Sequence, residues 1–529
     1  DAGITAGLGD VVLSSSNGAT VSLENGWEYV SVPSITDVSP STGHGSTVVS
    51  ISGTGLLSGA ESISTVTLNG ASVSSIEFQN DTLVTVIAGI STAGTGDVVM
   101  TAVTGATVTA TDGFTYVVPG EIESIEPASG QLGTSVTITG SNLFAAAESV
   151  TEVLLGSTAA SEISSQNNTH LVVVAASASA TSSAVDVQIT AASGAIVTGS
   201  SLWTQLADGS IDEVSPATGQ VGTRVSLSGA RLLGGTDDLS SVSLAGVAAS
   251  YEAGTANNTD VVVVIVTAGS AGVAGDVQIT AATGALITSS GAFTYLAAGD
   301  IATVSPSSGH FGTRVNISGS RLLGGGSSIV AVTLNGVAVD ASTISSSDSF
   351  VTFIASAGDA ADNTAVVMTA DTGAIISAEN AWTYVTPASI TSVVPASGQI
   401  GTVVTINGES LLGGADELDT LEIGDLTVSD IELANDTMVV GVVGNGTAGT
   451  VDVVVTASAG AQVTETNAFT YLAIGVIDSI TPNSGQQGSQ VTIAGERMLG
   501  GGDSVASLTL AGLGVVRVVS SSDTSIVAI

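Results

Sequence analysis

The chain has 529 residues, no cysteine, and 47 acidic residues against six basic ones, which gives a formal net charge of −41 at pH 7. This charge opposes binding to nucleic acid, because phosphate contacts need basic side chains, and the absence of cysteine excludes disulfides and thiolate metal sites. Mean hydropathy is high at +0.53, yet the apolar runs have only the length of strands, so we expect no membrane insertion.

The N-terminal segment reads as part of a repeat. The stretch Asp10–Val30 aligns with Asp97–Val117 of a later complete copy, and Ala2-Gly3-Ile4 aligns with Ala88-Gly89-Ile90. We therefore predict that residues 1–33 are the second half of a split domain. A severed sandwich leaves an open apolar face, which we assign here to Val11, Val12, Val21, Leu23, Trp27 and Tyr29.

Five complete copies follow, and two independent markers set their period. The markers recur every 87 to 90 residues: the prolines Pro40, Pro127, Pro216, Pro306, Pro395 and Pro482, and the aromatics Trp27, Phe114, Trp203, Phe293, Trp382 and Phe469. We place the domains at 34–119, 120–208, 209–298, 299–387 and 388–475. The linkers are short, so we expect a semi-rigid, elongated rod.

Within one copy the pattern predicts strands throughout. Thr47–Gly53 alternates between apolar and polar residues, Asn69-Gly70 is a turn signal, and Asn80-Asp81-Thr82 reads as a tight turn before Leu83–Ile87. About seven short strands with regular turns favour an all-β fold of tandem immunoglobulin-like sandwiches. The closing aromatic of each copy is predicted to fill its core.

These residues resemble the IPT/TIG domain family. The resemblance rests on the opening Ile122-Glu-Ser-Ile-Glu-Pro127-Ala-Ser-Gly130-Gln-Leu-Gly133-Thr134, on Val136-Thr-Ile-Thr-Gly140, and on the closing Phe114-Thr-Tyr116, with a departure at Gln205, where tyrosine is expected. It implies an immunoglobulin-like fold. It does not imply one function, because the family serves as spacers in surface proteins, as modules of starch-acting enzymes and as dimerisation units of transcription factors.

Catalytic constellations are not predicted, and neither an enzyme nor a cofactor is expected. His44 and His310 share a turn position at which other copies carry glutamine, which favours a turn role. Acidic loop residues are the best calcium candidates, with solvated loop acids as the alternative: Asp237, Asp238, Asp416, Glu417 and Asp419. The arginines of the leucine loops are expected to pair with carboxylates.

Six Asn-x-Ser/Thr sequons offer sites for covalent glycans. Four of them, Asn80, Asn167, Asn257 and Asn435, fall at one repeat position, whereas Asn316 and Asn445 lie elsewhere. The two remaining copies carry Ser347 and Ser522 at that turn. A turn without a glycan therefore stays open as the alternative.

The C-terminal residues 476–529 match only the first half of the repeat. We predict an open face formed by Ile480, Val491, Ile493, Leu508, Ile526 and Ile529. The two halves suggest an extracellular or cell-surface filament subunit that binds copies of itself head to tail. The alternative is a stalk segment of a much longer adhesin or carbohydrate-binding repeat protein.

Overall fold

The computed structural model describes residues 5–252, 254, 256–265 and 267–529. The predicted match of Ala2-Gly3-Ile4 lies outside these residues. The chain divides into two compact units. One contains the described residues up to Ser215 with Ser226–Val263 and Gly275–Phe293, and the other contains Pro216–Val225, the described part of Val264–Ala274, and Thr294–Ile529.

The strands of the first part of the chain repeat one order. β1 and β2 form an N-terminal hairpin, Gly7–Ser14 and Thr20–Tyr29. β3 to β11 make up the first complete repeat: Ser34–Ser39, Thr42–Gly43, Val48–Thr54, Ile63–Leu68, Ala71–Ser72, Ser75–Gln79, Leu83–Ile87, Gly94–Ala102 and Thr107–Tyr116. β12 to β20 make up the second: Glu121–Glu126, Ser129–Gly130, Ser135–Ser141, Val150–Leu155, Thr158–Ala159, Glu162–Gln166, His170–Val174, Val185–Ala191 and Ile196–Gln205.

The third and fourth repeats keep this order with local changes. β21 to β28 are Ser210–Ser215, Thr218–Gly219, Arg224–Ala230, Leu239–Leu244, Val247–Tyr251, Asp260–Val264, Ala274–Ala281 and Leu286–Tyr295. β29 to β37 are Asp300–Ser305, Ser308–Gly309, Arg314–Ser320, Ile329–Leu334, Val337–Ala338, Ser345–Ser346, Phe350–Ile354, Ala361–Ala370 and Ile375–Tyr384, with a 3₁₀ turn at Ala341–Thr343.

The fifth repeat is complete, and the C-terminal half-domain follows it. β38 to β46 are Ser389–Val394, Ser397–Gly398, Val403–Glu409, Leu418–Ile423, Leu426–Thr427, Ile431–Asn435, Met438–Val442, Gly449–Ala457 and Gln462–Tyr471. β47 to β52 are Val476–Thr481, Val491–Glu496, Thr509–Leu510, Leu513–Gly514, Val518–Ser521 and Ser525–Ala528. Within the described residues, no helix is long and apolar enough to span a membrane.

Each complete repeat is a sandwich of two sheets. In the first repeat the orders are β3-β5-β9-β8 and β4-β11-β10-β6-β7, and the second, fourth and fifth repeats reproduce them. In the third repeat the two sheets merge into one of eight strands, because β25 takes the place of two short strands. The predicted all-β fold of immunoglobulin-like sandwiches is confirmed.

The core of each repeat lies between its sheets and contains the closing aromatic. Phe114, Trp203, Phe293, Trp382 and Phe469 are all fully buried. Phe114, Trp382 and Phe469 each meet the tyrosine two residues later edge to face, at centroid distances of 5.1 to 5.7 Å, a favourable aromatic geometry. In the second repeat Gln205 replaces this tyrosine and accepts a hydrogen bond from Trp203 Nε1 at 3.1 Å, so that closing strand is capped by a polar contact instead.

A repeated carboxylate fixes the bulge in the long hairpin of the first, second, third and fifth repeats and of the N-terminal hairpin. Asp97 accepts the backbone N–H of Asp112, whose φ is 50°, and such left-handed residues need local support. The equivalent bonds measure 2.7 to 2.9 Å and join Asp10 to Asn25, Asp186 to Ser201, Asp276 to Gly291, and Asp452 to Asn467. The N-terminal hairpin therefore has the same lock as these four repeats.

Candidate assembly faces and interdomain joints

The N-terminal hairpin has the register of a hairpin taken from a complete repeat. β1 pairs with β2 through Gly7↔Tyr29, Leu13↔Val21 and Ser14↔Thr20, with a bulge between Gly9 and Val11. β10 and β11 of the first repeat pair in the same way, 87 positions later, from Gly94↔Tyr116 to Thr101↔Thr107. The two-stranded sheet β1-β2 thus has the shape that a complete sandwich uses.

This hairpin exposes the side chains that a complete repeat buries. Leu13, Val21 and Trp27 are 69%, 71% and 58% exposed, whereas their counterparts Met100, Val108 and Phe114 are 0%, 6% and 0% exposed. Trp27 and Tyr29 still meet edge to face at 6.0 Å. Large contiguous apolar surface on a protein marks an interaction site.

Strand alternation corrects the predicted composition of this face. Val12 is the counterpart of Val99, which points away from the core between the buried Val98 and Met100. Val12 therefore belongs to the outer face, and the assignment from sequence was wrong. Adjacent residues of a strand point to opposite faces. Leu13 therefore belongs to the core-facing side, and the prediction from sequence did not include it. Val11, Val21, Trp27 and Tyr29 are core-facing, and Leu23 takes the half-buried place of Ala110.

The C-terminal half-domain has one complete sheet and a remnant of the other. Its four-stranded sheet β47-β48-β52-β51 matches the sheet β3-β5-β9-β8 of a complete repeat. The second sheet consists only of β49 and β50, two residues each, where the first repeat has the six-residue strand β6. This remnant includes Leu510, which corresponds to the buried Leu68.

The open side of this half-domain has two grooves lined by both apolar and polar residues. A groove of about 810 Å³ lies over Ile480, Val491, Leu510 and Ile529, and a second of about 460 Å³ lies over Ile493, Leu508 and Ile526. Val491, Ile493 and Ile526 are already buried in the half-domain, and Ile480, Leu508 and Ile529 are half-buried. All six predicted residues therefore line one of these two grooves.

Hydrogen bonds join each complete repeat to the next at one position. The backbone N–H that follows the Gly-Thr turn, or Ser46-Thr47 in the first repeat, donates to a carbonyl in the long hairpin of the next repeat, at 2.7 to 2.9 Å: Val48 to Ser193, Ser135 to Thr283, Arg224 to Thr372, and Arg314 to Ala459. The backbones come very close here, since a Cβ on Gly222 (φ 90°) would lie 2.6 Å from the carbonyl oxygen of Gly373. Glycine is required at this contact.

The turn position that carries glutamine or histidine reaches across the same joints. Gln220 accepts the N–H of Gly299 at 2.7 Å and donates to the carbonyl of Ile375 at 3.3 Å. Gln399 accepts the N–H of Gly475 at 2.6 Å and donates to the carbonyl of Arg497 at 3.3 Å. The sequence-based turn role is present as well, but this interdomain role was missed.

His310 occupies the equivalent place between the fourth and fifth repeats. Its Nδ1 lies 3.0 Å from the carbonyl oxygen of Phe311, and its Nε2 is buried. Burial lowers the pKa of His310, while the carbonyls of Phe311 and Ser410 and the charge of Asp436 act in the opposite direction. The joint therefore favours the neutral ring.

The arginines of the leucine loops hold the linkers. Arg231 Nε donates to the carbonyls of Ala207 and Asp208, and Arg321 Nε donates to that of Ala298. Arg497 donates to Ile474 and also pairs with Glu496 on the surface. The expected pairing with carboxylates is thus wrong for Arg231 and Arg321, since backbone carbonyls take that place.

The four aligned sequons form one structural turn. The Oδ1 of each asparagine accepts the N–H and the hydroxyl of the threonine two residues on and the next N–H, at 2.7 to 3.0 Å: Asn80, Asn167, Asn257 and Asn435. The middle residue has a separate task, because Asp81 accepts the N–H of Leu57 and so holds the leucine loop. Asn445 is exposed in a loop, and Asn316 lies half-buried inside β31.

The calcium candidates do not converge. Asp237, Asp238, Asp416, Glu417 and Asp419 are exposed, and Asp238 accepts the N–H of Leu239 and the hydroxyl of Tyr251. Across the part of the chain that the structure describes, no three His, Cys, Asp or Glu side chains group in a way that could hold a metal.

Comparison with solved structures finds similar chains at low identity. The extracellular region of plexin A4 is 14% identical, with a TM-score of 0.32; the match covers 94% of this chain and 54% of that one, so this chain spans about half of its length. The eight N-terminal Ig domains of Down Syndrome Cell Adhesion Molecule are 10% identical, with a TM-score of 0.21 and coverages of 94% and 80%. SGBP-B from a xyloglucan utilization locus of Bacteroides uniformis is 14% identical, with a TM-score of 0.16 and coverages of 40% and 71%.

No curated protein sequence matches the chain. The model of the IPT/TIG domain matches five successive stretches, which coincide with the five complete sandwiches: residues 33–116, 121–203, 210–295, 300–384 and 388–471. These stretches make up most of the sequence, and the chain therefore belongs to the IPT/TIG domain family.

Proposed function

We propose that this chain is a structural protein of the cell exterior or cell surface, in which the N-terminal hairpin of one copy completes the C-terminal half-domain of the next. The observation that carries the proposal is the pair of open faces. The hairpin exposes Leu13, Val21 and Trp27, and the half-domain offers grooves over the apolar residues Ile493 and Leu510. Complete repeats bury both faces against each other.

The interior copies supply the register of the proposed contact. In the first repeat β10 pairs with β6 through Val98↔Leu68 and Thr101↔Thr65. Transferred to the two halves, these pairs become Val11 with Leu510 and Ser14 with Ser507. Backbone bonds along this edge would extend β49, which is a form of β-strand addition.

Burial provides the driving force. Each large apolar side chain that passes from water into a core contributes roughly 1.5–3 kcal/mol, and Leu13, Val21, Trp27 and Tyr29 would all do so. The contact joins two different surfaces of the same chain. Such heterologous contacts generate a filament when the rotation between copies does not close a ring.

The fifth repeat supports this proposal, because it carries the groups that join one complete repeat to the next. Gln399 already bonds to Gly475 at the end of its own repeat and to Arg497 of the half-domain, as Gln220 bonds across the joint between the third and fourth repeats. The N–H of Val403 is the counterpart of the Arg314 N–H, which bonds to the next hairpin turn. In the assembly, the carbonyl of Asn17 from a second copy would take the equivalent place.

A second candidate function is a stalk segment within a longer surface adhesin or carbohydrate-binding protein. The observation that favours it is the joint before the half-domain, since Gln399 makes there the same bridge that Gln220 makes between the third and fourth repeats. In that case neighbouring halves of the same polypeptide complete the two faces. The mass of the native polypeptide separates the candidates: a value near 51.2 kDa favours copies that assemble, and a far larger one favours the stalk.

The assembly itself is tested by light scattering of the purified chain over a range of concentrations. The average mass should rise with concentration, and Leu13→Asp should abolish the rise by placing a charge in the new core. Val12→Asp is the matched control, because the adjacent side chain faces outward and assembly should persist. A mass that stays at one chain, or an equal loss in both variants, would contradict the proposal.

A further inference from the structure

We propose that Asn80, Asn167, Asn257 and Asn435 carry N-linked glycans, which gives the array one sugar chain at the same turn of four of its domains. In each of these turns Oδ1 is occupied by three donors from the following residues. Among the described residues no hydrogen bond involves the Nδ2 of these asparagines, and all four residues are exposed. The amide nitrogen is thus free to carry a substituent without loss of the turn.

The turn itself does not require asparagine. In the fourth repeat the hydroxyl of Ser347 accepts the N–H of Phe350 at 3.1 Å. In the C-terminal half-domain the hydroxyl of Ser522 accepts the N–H of Ser525 at 3.0 Å. Serine therefore closes the same turn, and the asparagine amide nitrogen is the one group of the other four turns that the turn itself does not use.

The chemistry is a transfer to the exposed amide. The donor class is an oligosaccharide linked to a lipid diphosphate. A bond forms between Nδ2 and C1 of the first sugar, the bond between C1 and the diphosphate oxygen breaks, and the lipid diphosphate leaves with the electron pair. The proton lost from Nδ2 passes to a base of the transferase. The product stays compatible with the turn, because the threonine hydroxyl and the two N–H groups bind Oδ1 and not Nδ2.

The surface next to Asn80 offers a place for the first sugar. Phe78 precedes it by two residues and is 50% exposed at the end of β8. Asn80 is the first residue after β8, so a sugar on its amide begins two residues along the chain from this ring. The apolar C–H face of a pyranose ring attached to Asn80 would cover this aromatic ring, which is otherwise in contact with water.

Asn316 is the internal contrast. It belongs to a sequon as well, but it lies within β31 and is paired on both sides, with Ser305 and with Thr352. It is half-buried and no turn presents its amide. The proposal therefore assigns no glycan to Asn316.

The test is peptide mass mapping of the protein isolated from the cells that make it. Peptide-N-glycosidase in heavy-oxygen water converts a glycosylated asparagine into labelled aspartate. We expect conversion at all four turn asparagines, or at all but one, and none at Asn316. Conversion at half of them or fewer, or at Asn316, would overturn the proposal.

A pair of variants separates the glycan from the turn. Asn80→Ser keeps the turn as Ser347 does, so the protein should fold normally and lose only the sugar at this site. Phe78→Ala tests the contact with the first sugar. Enzymatic removal of the glycans should lower the melting temperature of the first repeat more in the wild-type chain than in the Phe78→Ala chain. Equal decreases in the two chains would overturn the contact between Phe78 and the first sugar.

Discussion

At the scale of single residues, the glutamine of one repeat position bridges two of the joints between neighbouring sandwiches. Gln220 and Gln399 each make two hydrogen bonds to the next repeat. Gln486 occupies the same position in the C-terminal half-domain, where it is exposed. A glutamine can accept and donate at once, which suits a bridge between two backbone groups.

Gln220→Ala should loosen the joint between the third and fourth repeats. The substitution removes the acceptor for the Gly299 N–H and the donor to Ile375, and a lost hydrogen bond at a buried site costs about 1–3 kcal/mol. Hydrogen exchange at the Gly299 amide should accelerate roughly tenfold, as about 1.4 kcal/mol of lost protection implies. Gln486→Ala is the matched control and should leave exchange unchanged, and equal protection of Gly299 in both variants would refute the bridge.

His310 should make one joint sensitive to pH. Because burial lowers its pKa in the folded chain, the unfolded chain binds more protons below the ordinary value of about 6.5, and stability falls as the pH falls. The stability that neutral His310 contributes is fully present above the ordinary pKa and is lost as the pH drops through the pKa of His310 in the folded chain. His310→Gln should remove this part of the slope in urea unfolding measured from pH 7.5 to pH 5. A slope identical to wild type would show that the ring does not titrate with folding.

At the scale of strands and sheets, the same sequence position has opposite energetic roles in different parts of the chain. Trp203 is fully buried in the second repeat, and Trp27 is 58% exposed in the N-terminal hairpin. Trp203→Ala should destabilise its repeat by about 3–5 kcal/mol through the cavity that it leaves. In the dispersed chain, Trp27→Ala should cost less than about 0.5 kcal/mol, as exposed positions do. Denaturant unfolding of the two variants checks both values, and similar costs would contradict the difference in burial.

Most of the fold could be predicted at this scale, because period-two alternation and turn residues are local signals. The phase-marking prolines and the closing aromatics set the domains, and the buried Phe114 and Trp382 agree with the prediction. The joints could not be predicted. A Gln or His in a turn looks the same whether the turn faces solvent or another domain, so the bridge from Gln220 to Gly299 has no local signature. The prediction for Val12 was wrong because Val11 and Val12 are both apolar, and only strand alternation separates the core-facing residue from the outward one.

At the scale of the whole molecule, the proposed assembly would repeat at the fifth repeat a hydrogen bond that joins the complete repeats to one another. Complete repeats present the N–H groups of Val48, Ser135, Arg224 and Arg314 to the hairpin turn that follows. The Val403 N–H has the equivalent position in the fifth repeat. Its hydrogen exchange should slow as the chain is concentrated, when the Asn17 carbonyl of a second copy arrives, and it should not slow in Leu13→Asp. Exchange that is independent of concentration would argue against docking at this joint.

The most direct test uses the absence of cysteine from the chain. Ser14 and Ser507 correspond to Thr101 and Thr65, which are paired in the first repeat, and paired strand positions are close enough for a disulfide. Upon mild oxidation, the double variant Ser14→Cys, Ser507→Cys should form a ladder of chains that collapses on reduction. The control Ser14→Cys, Ser520→Cys places the second thiol on the other sheet and should form no ladder. A disulfide confined within single chains, or no disulfide at all, would contradict assembly by completion of the half-domain.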